Sequence, residues 1–179
     1  QGDGGGTATA VDATAEQSVG MVLVDTVLSD GEAAGTGMVI SEDGAVLTNY
    51  HVVEGATEVT VTVATTGETY AAEVVGRDAA ADVALLQLQD AQGLTTVALD
   101  DDEDPLVGDT LTAVGNAQGQ GYLSASTGEV TALDQDISTG STSSAQGEEL
   151  VGLIELDAAV VGGYSGGAVL DEEGEVVGV

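Results

Sequence analysis

The stretch Glu58 to Ala64, EVTVTVA, alternates valine with threonine or glutamate. A period of two marks a β-strand with one face in a core and the other in water. Outward from it, this half of the chain reads as further short β runs between Gly, Asp and Ser turns: VGMVLVDTVL (19–28), GTGMVI (35–40), AVLTNY (45–50), YAAEVV (70–75) and DVALLQL (82–88). Helical signals are almost absent, with one possible turn from His51 to Ala56. Residues 100–105, DDDEDP, hold the only proline, and strand-like runs resume after them: TLTAVG (110–115), YLSASTGEVTAL (122–133), ELVGLIEL (149–156), GGAVL (166–170) and EVVGV (175–179). Two sets of about six short strands separated by turn signals predict an all-β protein, a pair of barrels or sandwiches. The boundary falls near Pro105, giving halves at 19–104 and 105–179. The Gly/Thr/Ala-rich residues 1–18 read as a flexible linker, and Asp134 to Glu149, rich in Ser, Thr, Gly and Gln, as a long exposed loop.

Composition narrows the partners. The 179 residues hold 32 Asp and Glu against one Lys or Arg, a formal charge of −31. Nucleic acid is excluded as a partner, and so is direct docking on an anionic membrane, because both need clustered cations and Arg77 is the one strong base. No run approaches the length of a membrane span. A 42% hydrophobic fraction separates the chain from charged disordered sequences, so it should fold, in a salt-dependent way given its self-repulsion. With no cysteine there is neither a disulfide framework nor a thiolate site. The run Asp100 to Asp104 lacks the spaced pattern of a calcium loop and reads as a solvated loop, so neither a metal nor any other cofactor is expected. The chain begins with Gln, which reads as a mature or excised piece whose targeting information lies upstream.

Three residues stand out for chemistry. His51, the only histidine, lies in TNYHVV where a strand ends; Asp82 heads the apolar strand DVALLQL; Ser165 sits in Gly163-Tyr164-Ser165-Gly166-Gly167. Alone, each has an ordinary explanation: a packed or surface histidine, a turn aspartate, a hairpin serine. Together they supply what a serine nucleophile needs, since serine requires a base within reach and the base a carboxylate that fixes its tautomer. Glycines around the serine let backbone N–H groups converge on a developing oxyanion. The order His, Asp, Ser is that of chymotrypsin and not of subtilisin or the α/β-hydrolases.

With these residues the chain resembles the trypsin-like serine proteases, and among them the bacterial HtrA/Deg group. The matching stretches are GTGMVISEDGAVLTNYHVV (35–53), GRDAAADVALLQL (76–88), VGDTLTAVGNAQG (107–119), STGEVTALDQDI (126–137) and LDAAVVGGYSGGAVLDEEGEVVGV (156–179). The resemblance implies two six-stranded antiparallel β-barrels of the chymotrypsin type. It also implies a serine endopeptidase with His51 as general base, Asp82 as its orienting carboxylate and Ser165 as nucleophile. The N–H groups of Gly163 and Ser165 would form the oxyanion hole. Ala159 and Val160 would line the pocket for the residue before the cut; the floor position, Ala159, is uncharged, so aliphatic side chains are expected there rather than Lys or Arg. Asp157 caps a turn on this reading, with an inward orientation as the alternative.

The departures set further expectations. The family continues past the position of Val179 through strands that close its second barrel, so this barrel should be incomplete. No peptide-binding PDZ domain is present, and the chain lacks the aromatic residues near the N-terminus on which HtrA trimers rely, so a monomer is expected. Substrates would be unfolded polypeptides outside the cytoplasm, on a secreted or surface-tethered protein. The alternative is a protease fold that binds or senses peptides while catalytically dormant.

Overall fold

The computed structural model of the chain describes residues 9–101, 104–138 and 149–179, and its regular structure is almost wholly strand. A two-residue strand β1 (Val11–Asp12) is followed by β2 (Met21–Leu28), β3 (Gly31–Val39) and β4 (Ala45–Thr48). One helical turn α1 (Tyr50–Val53) leads to β5 (Glu58–Val63), β6 (Thr69–Asp78) and β7 (Val83–Leu88). Strands β2 to β7 close into an antiparallel barrel in the order β2-β3-β4-β7-β6-β5.

Alternation explains the barrel. On β5, Val59, Val61 and Val63 are buried while the residues between them are not, and β7 buries Ala84, Leu86 and Leu88 in the same rhythm. These side chains meet Val22, Val24, Val39 and Val46 in one core, each fully buried aliphatic contributing about 1.5–3 kcal/mol. Strand β2 breaks the rhythm, since Met21 to Val24 are all buried. Val22 and Val24 point into the barrel, while Met21 and Leu23 join a second cluster with Met38, Val114, Leu170 and Val176. A strand pressed on both faces has to be apolar on both, which is why its sequence reads as a continuous run.

The second half contains β8 (Thr110–Gly115), a short 3₁₀ turn (Ala117–Gly119), β9 (Ser124–Ser138), β10 (Glu149–Leu156), β11 (Val169–Leu170) and β12 (Val176–Gly178). They form an open sheet ordered β1-β9-β8-β11-β12, with β10 also paired to β9. The β9–β10 register is irregular, and Asp134 and Gly152 take φ of 53° and 71° among the register shifts. The chain crosses between the halves over residues 97–100, ahead of Pro105: the Val97 N–H donates to Val39 and the Val176 N–H to the Ala98 carbonyl.

Two expectations are corrected. Residues 1–18 are not a linker throughout, because β1 pairs with Ala125 and Ser124 of β9 and the Ala13 N–H donates to the Leu123 carbonyl. After it, a reciprocal box has the Thr14 N–H donating to Gln17 Oε1 and the Gln17 N–H to Thr14 Oγ1, a side-chain arrangement that composition alone hides. The loop expected from Asp134 begins later, since β9 continues through Ser138; residues 139–148 lie outside the described residues.

Candidate active site

β4 and β7 are barrel neighbours with Thr48 opposite Ala84. Whatever follows β4 and precedes β7 is therefore brought together at one barrel end. His51 follows β4 on α1, and Asp82 precedes β7. Asp82 is buried and left-handed, with φ of 51°, a conformation Asp tolerates better than most residues and one that collects at functional sites. Its turn is braced by Asp78, whose Oδ1 accepts the Ala80 and Ala81 N–H groups. The Asp82 carboxylate grips α1 twice: Oδ1 accepts the His51 N–H at 2.9 Å, and Oδ2 lies 2.6 Å from His51 Nδ1. A carboxylate on Nδ1 leaves Nε2 as the free ring nitrogen, and the side chain of His51 is about half exposed.

Ser165 comes from the other half, in the loop between β10 and β11. The first barrel holds that loop. Thr36, fully buried on β3, donates its N–H to the Ser165 carbonyl (2.8 Å) and its hydroxyl to the Gly163 carbonyl (2.7 Å), and accepts the Asn116 N–H (2.8 Å). Asn49, immediately before α1, accepts the Gly166 N–H at 2.7 Å and donates its own amide to the Asp82 carbonyl at 2.8 Å. Gly163 and Gly166 have φ of 94° and 80°; a Cβ would lie 2.0 Å from the Asn116 carbonyl in one and 2.1 Å from the Thr36 carbonyl in the other. Only glycine fits either position.

Among the described residues, no hydrogen bond joins His51 to Ser165, and neither the Gly163 nor the Ser165 N–H donates to a protein acceptor. A cavity of about 360 Å³ opens beside Ser165, lined by Ile154, Leu156, Val160, Val161 and Val169 with no charged side chain. Val160 thus faces the cavity. Ala159 does not line it; its N–H donates to Ser126 Oγ at 2.8 Å. Asp157 is exposed and outside the lining. Tyr164 is buried with its hydroxyl lacking a partner at bonding distance; burial, partly offset by the Ser124 hydroxyl, pushes its phenol above the usual range.

Arg77, exposed on β6, lies over the Tyr50 ring at 5.3 Å and donates to the Tyr50 hydroxyl at 2.9 Å, so the chain's one strong base sits against the residue preceding His51. Elsewhere, carboxylates of Asp100, Asp171 and Glu175 have oxygens within 4.8 Å of one another, while Asp102 and Glu103 of the acidic run lie outside the described residues. Thr36, Asn49 and Asn116 were not anticipated as site residues; their one signal is a polar side chain inside a stretch that packs.

Residues 35–179 match the trypsin-like peptidase domain family. Over 145 residues the chain is 38% identical to a probable periplasmic serine endoprotease DegP-like of Halomonas elongata, covering 81% of this chain and 28% of that protein. It is 37% identical over 148 residues to the periplasmic serine endoprotease DegP of Escherichia coli K12, covering 82% and 29%. The chain thus spans under a third of the length of these relatives. Among solved structures, the HtrA-type protease AlgW with tripeptide superimposes with a TM-score of 0.77 at 27% identity, over 90% of this chain and 50% of that one.

Proposed function

Because the chain belongs to the trypsin-like peptidase family, we propose that it is a serine endopeptidase in which His51, Asp82 and Ser165 act as a triad. The observation that carries this reading is the 2.6 Å contact of the Asp82 carboxylate with His51 Nδ1, at the barrel end where Asn49 meets the Ser165 turn. Ser165 Oγ attacks the scissile carbonyl carbon while its proton passes to His51 Nε2. The C–N bond then breaks as that proton goes to the leaving amine, leaving an ester on Ser165. Water gives a proton to His51 Nε2 and adds to the ester carbonyl; the C–O bond to Ser165 then breaks as that proton passes to Oγ, releasing the carboxylic product and restoring the free serine. The Gly163 and Ser165 N–H groups, without protein acceptors among the described residues, serve the oxyanion of each tetrahedral intermediate.

The uncharged lining of the cavity beside Ser165 supports cleavage after small or medium aliphatic residues. None of the side chains lining it is a carboxylate that could pair with a cationic residue. Unfolded polypeptides outside the cytoplasm are the proposed substrates, as the periplasmic location in the relatives' descriptions suggests. No helix among the described residues is long and apolar enough to cross a membrane.

The test is intact-mass analysis after incubation with a serine-reactive fluorophosphonate, beside Ser165→Ala. One adduct, mapped to Ser165 and absent in the variant, supports the triad. A folded sample without adduct overturns it and supports the dormant binding module.

A further inference from the structure

We infer that Asn49 is a positioning residue that sets the nucleophile's place relative to the His51–Asp82 pair; the inference rests on the peptidase reading above. Three observations converge on it. The peptide unit joining Ser165 to Gly166 is clamped at both polar ends by the first barrel: its C=O accepts the Thr36 N–H at 2.8 Å, and its N–H donates to Asn49 Oδ1 at 2.7 Å. The other end of the Asn49 amide donates to the Asp82 carbonyl at 2.8 Å. His51 and Ser165 are not joined directly among the described residues, so one side chain connects the residue that orients the base to the peptide that carries the nucleophile.

The two Asn49 bonds differ in what their loss does. The Asp82 carbonyl also accepts the Tyr50 N–H at 3.0 Å, so it keeps a partner without Asn49. Among the described residues the Gly166 N–H has Asn49 as its one acceptor, so loss of Asn49 leaves that N–H unpaired. Without Asn49 this peptide plane keeps its tether at the C=O end and loses the one at the N–H end, freeing it to turn about Thr36 and carry Ser165 Oγ with it. Reaction rates fall steeply with such displacements: about 1 Å of misplacement can cost about a hundredfold.

The experiment measures fluorophosphonate labelling of Ser165 over a range of probe concentrations, in the wild-type chain, Asn49→Ala and Asn49→Asp, with thermal unfolding of each and amide hydrogen exchange at Gly166. Asn49→Ala is expected to lower the maximal labelling rate about ten- to a hundredfold, to leave the half-saturating probe concentration within about twofold, and to speed Gly166 exchange. Asn49→Asp keeps the acceptor for Gly166 and should fall between the two; it is also the deciding variant if Asn49→Ala does not fold. Gln87→Ala removes an amide side chain that bonds the Asp43 and Leu88 carbonyls away from the site, and should label at the wild-type rate. A folded Asn49 variant that labels as fast as wild type overturns the positioning role while leaving the peptidase reading intact. A wild-type chain that forms no adduct overturns both.

Discussion

The two halves of this molecule hold the residues of the proposed triad by different means. His51 and Asp82 belong to a barrel whose six strands close on one another, and their meeting follows from one pairing, Thr48 with Ala84. Ser165 belongs to an open sheet whose last two strands span two and three residues, and it lies in a loop outside any strand. No ladder fixes that loop. Thr36 and Asn49 of the first barrel do, through hydrogen bonds to Gly163, Ser165 and Gly166. The difference teaches where order originates: the closed barrel is a platform, and the Ser165 turn is rigid to the extent that it is docked there.

The sharpest way to break this picture is chemical. Asp82→Asn keeps the shape of the side chain but reverses a donor–acceptor match at Nδ1; on the triad reading, the turnover of a peptide substrate should fall about 10⁴-fold, with thermal unfolding little changed. Retained turnover in a folded variant would remove Asp82 from the chemistry. Next comes stability. Leu86→Ala empties a site with no exposure inside the closed barrel, and should cost about 3–5 kcal/mol in urea unfolding, because paired strands on every side cannot collapse into the hole. Leu170→Ala, on short β11, should cost nearer 2 kcal/mol, since an open sheet relaxes more easily. Equal losses would mean that the second half is as firmly built as the first.

The same contrast governs what the sequence made readable. Alternation in EVTVTVA and DVALLQL revealed the barrel strands because each residue's environment depends on the sheet face it occupies. His51, Asp82 and Ser165 were legible because reactive side chains in one order carry a chemical meaning. Thr36, Asn49 and Asn116 were not, since their significance lies in bonds between residues 127, 117 and 80 positions apart, beyond any local window. Continuation of β9 through Ser138 was hidden similarly: Asp134 resembles a turn residue and is one locally, with φ of 53°, yet the strand continues past it.

A smaller test probes the cost that the second half carries. The Tyr164 hydroxyl is buried with no partner at hydrogen-bond distance among the described residues, the nearby Ser124 hydroxyl offsetting only part of the burial, and Tyr164 packs with Ala113 and Ala117. Leaving a buried donor unsatisfied is costly. Tyr164→Phe should therefore stabilise the chain by about 1 kcal/mol, raising the unfolding midpoint by about 2–4 °C. Destabilisation would show that the hydroxyl has a partner that matters, and the contrast between the halves would narrow.

The smallest expected effect lies in the first barrel, whose misfit is electrostatic and at the surface. Asp25 on β2 has its carboxyl held above the usual 3.8 by partial burial, and then by the Glu32 carboxylate across the hairpin. A raised folded value means that the native state binds the proton more tightly than the unfolded chain does. The resulting penalty is absent below pH 3.8, grows as the pH rises through the raised folded value, and is fully present at neutrality. Asp25→Asn removes the charge and should raise the unfolding midpoint at pH 7 but not at pH 3.5. The gain should stay under about 0.5 kcal/mol, because a mostly exposed group is screened by water, and added salt should shrink it by weakening the Glu32 part. A gain of equal size at both pH values would assign the effect to packing and place both halves' misfits in the same class.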